Sequence, residues 1–261
     1  MAHVLEHTLP AELPAVHVVA TSAPLQWLRA GWRDLQLAGS ASAVYGVVVT
    51  GLGLALLMLT SSASYLVPAL IGGFMLVAPF VAIGLYALSQ QLEAGGKIDA
   101  AAAAFAWRRN GGAIALFGLM LAMALIAWER ISAIVFALFY GGAVPEFDHL
   151  VRDLFFSGHY LPLTIAWLGS GALMAALVYS LTVVTAPMLM DRPVDVVSAA
   201  LTSLRCCRTN PGALALWALL LAGLSAVGFA TAMVGLIVIF PWLGHASWHA
   251  YRALVRQDDV G

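Results

Sequence analysis

Trp107-Arg-Arg-Asn-Gly-Gly-Ala-Ile-Ala-Leu-Phe117 returns one hundred residues later as Arg208-Thr-Asn-Pro-Gly-Ala-Leu-Ala-Leu-Trp217, and nine of the fifteen positions from 108 to 122 are identical to their counterparts. Matches of Ala and Leu carry little weight in a chain this rich in both. Arg108/Arg208, Asn110/Asn210 and Gly112/Gly212 carry more, because they stand where a polar segment enters a long apolar run. The stretch is an internal repeat: a basic, amphipathic lead-in followed by a helix suited to a membrane.

Composition decides the surroundings of that helix. Of 261 residues, 62% are apolar and only 10% charged, and the mean hydropathy is +0.93. Soluble domains keep roughly a quarter of their residues charged. Apolar runs near the ~20 residues that a ~30 Å hydrocarbon core requires point to helices spanning a bilayer. The first 24 residues carry Glu6, Glu12 and three prolines with no apolar core, so they are no signal peptide.

Working outward, residues 1–23 read as a mobile tail. Pro24 to Leu37 sets Leu25, Leu28, Trp32 and Leu35 at helical spacing opposite Arg29, Arg33 and Gln36, the pattern of a helix lying in the membrane interface. Apolar runs follow at about 43–60, 65–88, 112–131, 161–190 and, across 211–254, as two helices joined by a minimal turn near 228–235. Lead-ins precede the third and fifth runs. The clearest places Val194, Val197, Leu201 and Leu204 on one side and Asp195, Ser198, Arg205 and Arg208 on the other. Each returning run carries a proline, at Pro79, Pro187 and Pro241.

The expected architecture is therefore an all-α, polytopic membrane bundle. Six transmembrane helices form three repeated hairpins, each preceded by an interfacial amphipathic helix. The units fall at about 24–92, 98–192 and 193–256 within one domain over 24–256. Six spans put ten of the twelve Lys and Arg on one side, with Arg130 and Arg152 the exceptions. The positive-inside rule then places both termini in the cytoplasm.

Candidate chemistry is sparse. The sequence holds no P-loop, no Gly-x-Ser-x-Gly and no His-Glu-x-x-His. Glu129-Arg130 is either an intramembrane charge pair or an interfacial pair beside the anchoring Trp128. Carboxylates and histidines between Gly141 and His159 lack a diagnostic ligand spacing. Adjacent Cys206 and Cys207 suit two free thiols packing a helix better than a redox pair. His245 and His249, four apart on one helix face just past Pro241, form the sharpest constellation. Two neutral imidazoles so placed suit copper, zinc, haem or a quinone; the plainer reading has them satisfying backbone carbonyls freed by Pro241.

The string Gly244-His-Ala-Ser-Trp-His-Ala-Tyr-Arg252, together with Trp-Arg-Arg-Asn and the Ala-Pro returns, resembles a bacterial family of integral membrane proteins, the domain-of-unknown-function 2189 family. The resemblance extends over about 25–254. It implies a multi-pass protein of the bacterial inner membrane, and some members are likened to cytochrome c oxidase subunit I. An oxidase catalytic subunit needs six membrane histidines, whereas these spans offer His245 and His249. The expected function is that of a non-enzymatic accessory or assembly subunit of a larger membrane complex, such as a respiratory one. Its partners would be the lipid bilayer and another membrane protein, with no nucleic acid and no cofactor. A transporter or channel for a small solute and a metal- or haem-handling protein are the alternatives.

Overall fold

Pro241 removes one backbone donor from the last helix of the chain, and the helix best placed to answer that loss sits at the centre of the structure. The computed structural model describes residues 13–60, 67–139 and 160–256. In chain order its helices are α1 (Ala23–Ala38), α2 (Ser40–Thr60), α3 (Val67–Glu93), α4 (Ala100–Ala104), α5 (Gly111–Phe139), α6 (Leu161–Thr182), α7 (Thr185–Asp191), α8 (Val196–Thr209), α9 (Pro211–Ala230) and α10 (Leu236–Leu254). A 3₁₀ turn, Ala106–Asn110, links α4 to α5. The fold is all-helical. Among the described residues the one β contact is an isolated bridge between Val16 and Val255. Among the described residues three helices are long and apolar enough to cross a membrane, Ala106–Phe139, Leu161–Asp191 and Pro211–Ala230. They become four if the pair Ala23–Ala38 and Ser40–Leu56, bent by 104°, is counted as one.

Helix α10 is the hub. It packs against α1, α2, α3, α7 and α9, and Leu243, Ala246, Trp248, Ala250, Tyr251 and Leu254 are buried. A helix shielded on so many sides meets little lipid, so it tolerates His245, His249 and Arg252. α1 runs in the same sense as α10: Trp242 Nε1 donates to the Leu28 carbonyl at 2.8 Å. A Cβ on Gly31 would lie 2.5 Å from the Ala246 nitrogen. α2 runs the opposite way, with Gly46 pressed on the carbonyl of Ile237. That is the oxygen which Pro241, four residues on, leaves without a helical donor. The turn before α10 is short, with Ala232 and Met233 in the left-handed region and the Gly235 amide held by Thr231 Oγ1 at 2.8 Å.

The second returning segment is broken rather than bent. α6 ends at Thr182, and α7 begins at Thr185 with Pro187 in its first turn. Asp195 caps α8 by accepting from the amides of Val197 and Ser198, both at 2.9 Å. The hydrogen bonds from Ser198 hold its carboxyl below the ordinary carboxylate range. The protein-facing side of α8 is Ala199, Thr202, Ser203 and Cys206, while Val197 and Leu201 point outward. Both cysteines are free, and burial pushes the Cys206 thiol up to about 12. Residues 13–22, counted above with the tail, lie against the far end of the chain: His17 N donates to Leu254 O at 2.9 Å, and Arg256 N to Ala15 O at 2.8 Å. Residues 1–12, the expected turn at Ser61–Ser64 and the segment 140–159 with its acidic and histidine side chains fall outside the described residues.

The glycines give a direct test of this packing. Gly46→Val should lower stability by about 3 kcal/mol, since backbone cannot retreat as a flexible side chain does. Gly111, in ordinary helical conformation (φ −57°, ψ −38°) and facing open space, should gain up to about 1 kcal/mol on replacement by Ala. Thermal unfolding of the purified protein in detergent measures both; equal effects at the two sites would contradict the close α2–α10 approach.

Candidate functional site

A carboxylate can only accept hydrogen bonds, and this fixes the direction of every proton around His245. Asp34 on α1 is buried. Its Oδ2 accepts from Ser89 Oγ of α3 at 2.7 Å and from His249 Nε2 of α10 at 2.8 Å. Ser89 has thus given its one proton to Asp34, so at 2.7 Å it receives the Nδ1 proton of His245. The neutral imidazole of His245 then has a lone pair on Nε2, filled by Ser42 Oγ of α2 at 2.7 Å. The result is one chain, Ser42 to His245 to Ser89 to Asp34, met from the other side by His249. It joins the lead-in α1 to three longer helices. Burial raises the Asp34 carboxyl, but the hydrogen bonds from His249 and Ser89 outweigh it and hold the group below its ordinary value.

His245 and His249 therefore do not face one another across an empty position. They meet the same serine–carboxylate chain, and in this arrangement Ser42 occupies the lone pair through which His245 would ligate. Among the described residues no group of three His, Cys, Asp or Glu is placed to hold a metal ion.

A second polar cluster closes the same end of the bundle. Tyr251 OH donates to Asp191 Oδ2 at 2.7 Å and accepts from Arg192 Nε at 3.0 Å. Gln90 Nε2 donates to Asp191 Oδ1 at 2.7 Å, and Arg109 to Gln90 Oε1 at 2.6 Å. Glu93 takes both Trp248 Nε1 (3.1 Å) and a forked contact from Arg252 (3.0 and 2.8 Å). The ends of α3, α7 and α10, the three segments that carry Pro79, Pro187 and Pro241, are thereby tied together.

The repeated residues divide by role. Asn110 donates to the carbonyls of Leu189, Arg192 and Val194, which form the linker into α8. Asn210 accepts from Val19 N at 2.8 Å and donates to His17 O at 2.9 Å, in the segment leading to α1. Each thus holds the approach to another lead-in helix. Arg108 lies over Phe105 and Trp107, and Arg208 is exposed. Glu129 and Arg130 pair at 3.9 Å with Arg130 largely exposed, apart from the histidine cluster. Asp34, Ser42 and Ser89 were not singled out by the sequence reading. The available signal is that Asp34 shares a helix face with Trp27, Gly31 and Ala38, at spacings of three and four.

Above both clusters lies a cavity of about 640 Å³, partly open to the outside, whose walls come from α2, α3, α5, α6, α7, α9 and α10. Its lining includes Phe117, Leu121 and Leu125 of α5, faced by Trp217, Leu221 and Ser225 of α9, each one hundred residues further on.

Removing the acceptor tests the chain of hydrogen bonds. Asp34→Ala leaves Ser89 and His249 without their common partner and should destabilise by about 3 kcal/mol. Because the Asp34 pKa is lowered on folding, its contribution is fully present above the ordinary 3.8 and is withdrawn as pH falls through the lower value. Acid unfolding of the wild type and of Asp34→Ala should therefore converge. A variant as stable as wild type at neutral pH would remove Asp34 from this role.

Residues 66–191 match the model of a family described as "Predicted integral membrane protein (DUF2189)". The matched region is narrower than 25–254 and does not include the Gly244–Arg252 string. No curated protein matches the chain, and no solved structure does. Several apolar helices of membrane-crossing length accompany that match. Residues 66–191, just under half of the chain, are thus similar to the DUF2189 family of predicted integral membrane proteins.

Proposed function

We propose that this is a non-enzymatic, six-span protein of the bacterial inner membrane that serves as an accessory or assembly subunit of a larger membrane complex. The observation that carries the reading is the division among the glycines of the apolar helices. Glycine inside a helix costs roughly 1 kcal/mol relative to Ala, and Gly31, Gly46, Gly118 and Gly244 have an internal reason for it, since a Cβ on each would collide with a neighbour. Gly51, Gly169 and Gly223 have none: among the described residues no atom beyond their own stretch of helix lies within 4 Å of where their Cβ would stand. Gly51 sits among exposed Val47, Val48 and Leu52, and Gly169 beside exposed Leu168. Lipid has no use for such gaps, whereas a neighbouring membrane helix does, because small residues let backbones approach.

The polar chain around His245 supports a structural part for the histidines, since its members satisfy one another. Metal or haem handling would need Ser42 to release Nε2. Transport of a small solute would have to pass through the cavity, whose described lining carries no charged side chain.

Gly51→Leu and Gly169→Leu, singly and together, should leave folding and yield unchanged while a stoichiometric partner is lost from mild-detergent purifications. Retention of all companions by the double variant, or a native protein that purifies alone, would defeat the accessory reading. The same preparation carries a haem band or bound metal if the imidazoles ligate, and His245→Gln with His249→Gln would then abolish it.

The six-span topology has its own check. Reporters fused at Asp258 and near Pro145 should lie on opposite sides of the membrane, with Asp258 in the cytoplasm. Finding both on one side would rule out this arrangement.

A further inference from the structure

We infer that the cavity between α3, α5, α6, α9 and α10 is a binding site for one hydrocarbon chain of a bilayer phospholipid. This goes beyond the accessory role and stands independently of it. The chemistry of the walls excludes a hydrated solute. Among the described residues no charged side chain lines the cavity, and three of its five hydroxyls are already committed to backbone carbonyls: Tyr179 to Leu214, Thr182 to Val178 and Ser247 to Leu243, each at 2.8 Å. With Tyr86 and Ser225 as the remaining lining hydroxyls, a hydrated solute entering would recover little of the hydration it gave up. Apolar cavities stay dry and accept apolar guests.

Shape and place select a chain. The volume, about 640 Å³, lies in the range of roughly 300–1,000 Å³ usual for ligand sites. Along α5 the lining runs from Phe117 to Trp128, a rise of roughly 16 Å at 1.5 Å per residue. That is about half of the ~30 Å hydrocarbon core, the depth of one leaflet. Three helices of membrane-crossing length, those containing α5, α6 and α9, form the walls. The cavity is partly open, so the hydrocarbon nearest to it is that of the surrounding leaflet. At its inner end Trp217 lies fully buried against Trp27 at 5.7 Å, and no lipid on the outer surface of the bundle can touch it.

Trp217 therefore reports on the interior. The full-length protein is reconstituted into phosphatidylglycerol vesicles whose acyl chains are plain or dibrominated, bromine being a short-range quencher of indole that does not need direct contact. The Trp217 contribution is taken as wild type minus Trp217→Phe. It should lose at least half its intensity in the brominated vesicles. Filling the cavity with Ala124→Phe and Ala175→Phe should restore most of that intensity, while Leu173→Phe, at an exposed position on α6, should not. Equal Trp217 emission in the two lipids overturns the site, as does quenching that the filled variant retains. Should the filled variant fail to insert, delipidation followed by native mass spectrometry decides. One phosphatidylglycerol held per chain when added back supports the site, and none held overturns it.

Discussion

A neutral imidazole in a low-dielectric interior has to find both a donor and an acceptor, and His245 finds them in two serines from different helices. The network built on it holds four helices at once. Ser42 fixes α2 against α10, Ser89 fixes α3, and Asp34, by accepting from Ser89, brings in α1 and through it His249. Had Asp34 been neutral or absent, Ser89 would be free to turn its proton toward His245, the imidazole would lose its preferred tautomer, and Ser42 would have to reverse as well. Polar networks of this kind reinforce one another when complete and weaken the fold when broken. The carboxylate thus determines the register of four helices, although it touches only two side chains.

Such a centre also explains the division of labour among the helices. α10 is enclosed, so it carries polar groups that a lipid-facing helix would not tolerate; α1 and α2 give up side chains at Gly31 and Gly46 to approach it, and α10 does so at Gly244 toward Leu85 of α3. α5, α6 and α9 are largely apolar, with Glu129 and Arg130 the charged residues of α5. The cavity lies where these three part from α10, and its two facing walls are built from residues one hundred apart.

Much of the helix pattern was legible in the residues. The tight turn before α10, the lead-in at α8 and the carbonyl freed by Pro241 were expected on local grounds, whereas the interruption before Pro187 and the capping by Asp195 were not. The inward face of the lead-in helices was not. In water an apolar stripe points to the protein core, but beside a membrane both core and lipid are apolar, and periodicity alone does not say which one a stripe meets. Val197 and Leu201 are exposed, as are Leu25 and Trp32, while the faces turned to the protein mix Trp27, Leu28 and Val196 with Ala, Gly, Ser, Thr, Cys206 and Asp34. For the same reason His245 and His249 were found as a pair but not their partners. Asp34, Ser42 and Ser89 come from three other helices, and short polar residues in apolar runs carry no spacing signal of their own.

The way Asn210 holds residues 17–19, together with the pairing of 15–17 to the end of α10, has a bearing on how the molecule is made. A ribosome delivers α1, α2 and α3 long before α10, so Asp34, Ser42 and Ser89 must enter or approach the membrane while their imidazole partners are still unsynthesised. The first segment of the chain is likewise without its anchor until Asn210 emerges. The early hairpin is thus an incomplete folding unit with buried-type polar groups exposed. The final described helix acts as the keystone, and truncation before it would leave the preceding helices without a settled packing, although each of them is fully translated.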